Sequence, residues 1–157
     1  MIRLRYLLLA VVATLLTASI GFSAEKDSFS AKLSGNEVAP LVKTPAKGDA
    51  EFKLVKNGKE LTYKLIVTGI ENVTAAHIHQ GKKWKNGPPV VGLFAGPKKE
   101  GKFSGVLAEG VITEKDLVGS LMGKPLSALV KLIKSGDTYV NVHTVGHPDG
   151  EIRGQIK

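Results

Sequence analysis

The chain has 157 residues, enough for one domain and not two, and its 22 Lys and Arg outweigh 14 Asp and Glu for a net charge of +8. It has no cysteine, which excludes disulfides, thiol nucleophiles and thiolate metal ligands. The lysines are scattered, with small clusters at Lys82-Lys83-Trp84-Lys85 and Lys98-Lys99, so the continuous basic stripe and reading element of a nucleic-acid binder are missing.

Residues 1–24 read as a secretory leader. Arg3 and Arg5 give a short basic start, Tyr6 to Ile20 is apolar and uncharged, and small residues follow at Gly21, Ser23 and Ala24. The apolar run falls short of the ~20 residues a spanning helix needs. Cleavage after Ala24 leaves a domain over 25–157; cleavage after Gly21 suits the small-residue rule better, because Phe22 is bulky. The alternative is an uncleaved N-terminal anchor. Export to the periplasm or the exterior is expected, with no membrane span once the leader is cut.

Beyond the leader, side chains alternate. Phe29 to Ser34 reads as a strand, Gly35 to Lys47 as a loop holding Pro40 and Pro45, and Ala50 to Lys56 as a second strand. Asn57-Gly58 tolerates positive φ and predicts a hairpin into Leu61 to Thr68. Short strands are expected at 75–79, 90–94 and 103–112, where Gly105 and Gly110 suggest bulges.

The period then changes. Thr113 to Leu121 reads as a capped turn or two of helix, and Leu126 to Lys134 as a short amphipathic helix with Leu126, Leu129, Val130 and Ile133 on one face, stopped at Gly136. Strands over 138–144 and 150–156 end the chain. The fold class is all-β: an antiparallel Greek-key-like sandwich or barrel of about eight strands, with a helical insertion near 113–135. Phe52, Leu54, Leu65, Val67, Ile78, Val91, Leu93, Val106, Val140, Val142 and Ile152 are its expected core.

Four histidines carry the chemistry. His77 and His79 share one face of a strand, about 7 Å apart along it. His143 ends Tyr139-Val-Asn-Val-His143 and shares a face with Tyr139 and Asn141, so the three imidazoles could close on one metal ion. Copper, with zinc next, suits neutral imidazoles without thiolate. The bland alternative is that these histidines hydrogen-bond loops and fix the fold. His147, in a Gly-His-Pro-Asp-Gly turn, is expected to be exposed and no ligand. Glu151, Arg153 and Gln155 share a face of the last strand and are expected to serve structure, with Glu37 as a partner for Arg153. No Gly-x-Ser-x-Gly elbow, phosphate-cradling loop or His-Glu-x-x-His helix is present, so no catalytic residue is assigned.

Leu33-Ser-Gly-Asn-Glu-Val-Ala-Pro40, Ala75-Ala-His-Ile-His-Gln-Gly81, Asn86-Gly-Pro-Pro-Val90, Tyr139-Val-Asn-Val-His-Thr144 and Gly150-Glu-Ile-Arg-Gly-Gln-Ile156 resemble, in order, the motifs of the CHRD domain, the repeat first named from chordin. The departures are Ala39 before Pro40, where the family usually has two prolines, and His147, where it commonly carries Asn or another polar residue. The resemblance implies a secreted β-rich domain and no defined reaction; it places the family's recurring features on His77, His79, His143, Glu151 and Arg153. A weaker likeness to copper–zinc superoxide dismutase lies in the His-x-His strand and later strand histidine. The zinc-loop histidines and disulfide of that family are missing. Two classes of function stay open: a copper- or zinc-binding domain, with a dismutase-like enzyme as its variant, and a non-catalytic interaction or adhesion module that binds an unknown protein partner and uses its histidines structurally.

Overall fold

A computed structural model describes residues 27–157. The leader expected over 1–24 lies outside the described residues. Among those described, the elements run β1 Ser28–Ser34, β2 Lys47–Val55, β3 Glu60–Gln80, β4 Pro89–Phe94, β5 Lys99–Ile112, α1 Leu126–Lys134, β6 Thr138–Thr144 and β7 Ile152–Gln155. No described helix is long and apolar enough to cross a membrane.

Strands β1, β2, β3, β6 and β7 pair antiparallel around a ring, which gives a five-stranded barrel. β5 and β4 extend the sheet on the opposite edge of β3. At Val73 both edges are visible at once, with Lys99 of β5 on one side and Thr144 of β6 on the other. The antiparallel barrel expected from the alternation is therefore the fold.

Strand β3 organises this arrangement. The sequence suggests two strands, over 61–68 and 75–79, but the structure joins them into one of 21 residues. Gly69 and Asn72 take positive φ, at 64° and 52°, where the register against β5 slips. Such bulges bend a strand without ending it. The bent strand passes one edge from β2, along its first half, to β6, along its second. The hairpin into β3 turns through Lys56, Asn57 and Gly58, all at positive φ.

The expected core residues are buried with two exceptions: Leu54 is only partly buried, and Val106 is 44% exposed. Leu65 pairs with Ala108 and Ile66 with Val106, so Leu107 is an extra residue in β5, and it is Leu107 that turns inward at 5% exposure. A one-residue bulge reverses which face an alternating strand buries. The segment after β5 forms two 3-10 turns rather than an α-helix. Thr113 caps the first, accepting from Lys115 N at 3.3 Å, while Asp116 reaches back to Thr113 N at 2.8 Å. Helix α1 buries Leu126, Leu129, Val130 and Ile133, the face its periodicity marks.

Candidate metal centre

Strand β6 is buried on both faces. Val140 and Val142 point into the barrel core, so Tyr139, Asn141 and His143 point outward. Across the ladder to β3, His79 pairs with Tyr139, His77 with Asn141 and Ala75 with His143. Across the ladder to β7, Asn141 pairs with Arg153 and Tyr139 with Gln155. Because Ala76 and Ile78 are core residues, His77 and His79 share the outer face with this group.

The structure brings together the expected trio. His77, His79 and His143 each offer a ring nitrogen within 4.8 Å of the other two, and their ring centroids lie 5.1 to 5.7 Å apart. Nitrogens bound about 2.0–2.1 Å from one ion sit about 3.3–3.6 Å apart, so closing on an ion asks each ring to move by less than about 1 Å. His147, expected to be exposed, is half-buried in the turn after β6, and it is not part of the trio.

Hydrogen bonds set the tautomers. His79 Nδ1 lies 2.8 Å from Gly87 O and His143 Nδ1 lies 2.8 Å from Pro148 O. A carbonyl only accepts, so each Nδ1 carries the proton of a neutral ring and each Nε2 keeps its lone pair. Both Nε2 atoms are buried without a hydrogen-bond partner, and so is His77 Nδ1. Leaving such an atom unsatisfied costs about 1–3 kcal/mol, and three on one face is a concentrated penalty. Burial pushes His79 down to about 4; His143, His77 and Arg153 add to this, while the bond to Gly87 opposes it. Burial, then His143, also lowers His77. These rings are neutral at ordinary pH, the form that binds metals.

The surroundings hold the site from one side. The His79 ring stacks on Tyr139 at 5.1 Å and 15°, and the Arg153 guanidinium lies 3.4 Å over the same Tyr139 ring. Arg153 donates to Asn86 Oδ1 at 3.1 Å and to the carbonyls of Lys82 and Lys85 at 2.9 and 3.1 Å. Gly87 N donates to the Tyr139 hydroxyl at 3.1 Å, and Gln155 Nε2 donates to Gly81 O at 2.8 Å. Residues 81–88 are thereby laid over the face. Gly87 has no room for a Cβ, which would run into Gln80 O.

Two expectations about charge change. Glu37 is not bonded to Arg153; it pairs with Lys83 at 3.3 Å, because the guanidinium is already taken up by loop carbonyls. Glu151 has a structural role as expected, but through hydroxyls: Thr44 Oγ1 donates to it at 2.6 Å and Thr144 Oγ1 at 2.8 Å. Sequence reasoning missed Tyr139 as the plate between His79 and Arg153, and the carbonyls of Gly87 and Pro148 as orienters. Tyr139 was legible in part, since it shares its face with His143; the carbonyls had no side-chain signal.

Chemically, the arrangement is a neutral three-nitrogen donor set, with the His77 and His143 residues half-buried and the three converging nitrogens themselves out of water. The orphaned nitrogens and their spacing fit a transition-metal ion held by His77, His79 and His143.

Comparison with known proteins gives the family. The CHRD domain family model matches residues 29–156. Chordin of Danio rerio is 28% identical over 133 residues, which cover 83% of this chain and 12% of that protein. Chordin of Xenopus laevis is 28% identical over 144 residues, 87% of this chain and 14% of that protein. The chain thus spans only a small part of the length of these relatives. No solved structure matches it.

Proposed function

We propose that this chain, which belongs to the CHRD domain family, is an exported domain that holds one transition-metal ion on His77, His79 and His143, copper before zinc. The observation that carries the reading is the set of three buried ring nitrogens without partners, one on each of three converging imidazoles. The donor chemistry supports copper: all three ligands are neutral nitrogens, and the divalent affinity order places copper above zinc. A bound ion would supply a Lewis-acid or redox centre with a free position. The chain's own part is orientation. Gly87 O and Pro148 O hold His79 and His143 with Nε2 free, and Tyr139 keeps the His79 ring in plane.

Chelator-stripped protein titrated with Cu(II) and Zn(II) should take up one equivalent. His79→Ala and His143→Ala should each weaken binding at least hundredfold, and His147→Ala should leave it unchanged. Histidine variants that bind as tightly as wild type while losing stability would end the metal reading, and the histidines would then be network residues of an interaction module. Export rests on the basic start and the apolar run from Tyr6 to Ile20. Mass spectrometry of the exported protein should find its N-terminus near Glu25; a membrane-bound product with Met1 intact would refute cleavage.

A further inference from the structure

Arg153 is an unusual neighbour for a cation site. It is 2% exposed, yet among the described residues no carboxylate lies within 4.0 Å of it. Its N–H groups go to neutral acceptors, Asn86 Oδ1 and the carbonyls of Lys82 and Lys85. Glu37, the acid whose field it feels, is itself paired with Lys83. Glu151, on the same end of the sheet, is engaged by Thr44 and Thr144, and Asp149 is exposed to solvent. The histidine face therefore carries a buried positive charge with no carboxylate within 4.0 Å among the described residues, transmitted through one aromatic plate: Arg153 on Tyr139, Tyr139 on His79.

We infer that the site discriminates by charge, taking monovalent copper, Cu(I), in preference to divalent Cu(II) or Zn(II), and that Arg153 is the positioning residue that sets this preference. The inference rests on the metal-binding reading above. Three neutral imidazoles bring no negative charge, so a divalent ion meets twice the repulsion of a monovalent one from the fixed guanidinium, in surroundings where water screens little. The donor set offers three nitrogens from one side, which falls short of the tetragonal arrangement Cu(II) prefers. Soft sulfur does not account for the selection: Met122, the methionine among the described residues, is 70% exposed and outside the site.

The test measures affinities of the whole protein for each ion. Cu(I) is titrated without oxygen, kept reduced by ascorbate, in competition with bicinchoninate; Cu(II) and Zn(II) are titrated against their own chelators. Wild type should bind Cu(I) at least a hundredfold more tightly than Zn(II). Arg153→Met should lower the ratio of Cu(I) to Cu(II) affinity at least tenfold, about 59 mV in a one-electron potential. Arg153→Lys, which keeps the charge and loses the fork, should hold the ratio within threefold. Should Arg153→Met fail to fold, Asn86→Asp sets a carboxylate against the intact guanidinium and should lower the ratio at least threefold. A wild type that prefers Cu(II) overturns the inference and leaves the metal reading standing; one that prefers Zn(II) overturns the inference and the order of copper before zinc, leaving only the three-histidine site; no binding of any ion removes both. Equal weakening of both copper states in Arg153→Met, or an unchanged ratio in Asn86→Asp, overturns the role given to Arg153.

Discussion

The two halves of β3 do the same work on one face and different work on the other. Inward, Leu61, Leu65 and Val67 of the first half and Val73, Ala76 and Ile78 of the second are all buried. Outward, the first half shows water Lys64 and Ile66, with Ile66 beside the exposed Val106. The second half shows His77 and His79, which residues 81–88 and the turn at Pro148 and Asp149 take largely out of water. The difference lies in the connections. The tight turn at Lys56–Gly58 leaves the first half bare, whereas the segments after β3 and β6 fold back over the second. Alternation in one strand thus builds a core twice, and the loops decide where its outer face becomes a site.

Substitutions should separate these two jobs. The largest effect is expected on the shared inner face: Leu65→Ala and Ile78→Ala should each cost about 2–5 kcal/mol in urea unfolding, with similar costs in both halves. Gly87→Ala comes next and acts on the second half alone. The added methyl forces the loop away from Gln80 O and takes its carbonyl from His79, so metal affinity should fall about 10- to 100-fold in a chelator competition.

A third contrast is pH. The unfolded chain protonates its histidines below about 6.5, while the folded one keeps His79 neutral down to about 4. The unfolded state therefore binds more protons in that window, and stability should fall as pH drops from about 6.5 to about 4. Denaturant midpoints of metal-free protein at stepped pH should show the fall, and a flat profile would mean that burial does not hold His79 neutral. The smallest effect belongs to the bare outer face: Lys64→Ala should change stability by no more than about 0.5 kcal/mol and leave metal uptake intact.

Much of this was legible from the residues. The alternation in β1, β2 and β6, the Asn57-Gly58 turn and the apolar stripe of α1 are local signals, and local structure followed them. The failures came where a bulge intervened. In Phe103 to Ile112 the glycines suggest bulges at Gly105 and Gly110, yet both pair in register and the extra residue is Leu107, so Val106 and Leu107 exchanged roles. The sequence suggests strands over 61–68 and 75–79 with a gap between them, but Gly69 and Asn72, at positive φ, bend one continuous strand whose two edges stay paired. The histidine trio was visible because strand period and motif put each residue on the right face. Its supporting carbonyls were not, since a backbone oxygen reads the same at every position.

The seam between β1 and β7 has a mechanical consequence. Ser34 pairs with Arg153, and Ser30 and Lys157 exchange two backbone hydrogen bonds of 2.9 Å, so the domain's entry and exit lie side by side at one end of an antiparallel pair. Tension applied between residues 27 and 157 would peel these strands apart bond by bond rather than shear them together. Under such tension the domain would yield first at this seam, opening its barrel under low load before the strands that carry the histidines feel the pull.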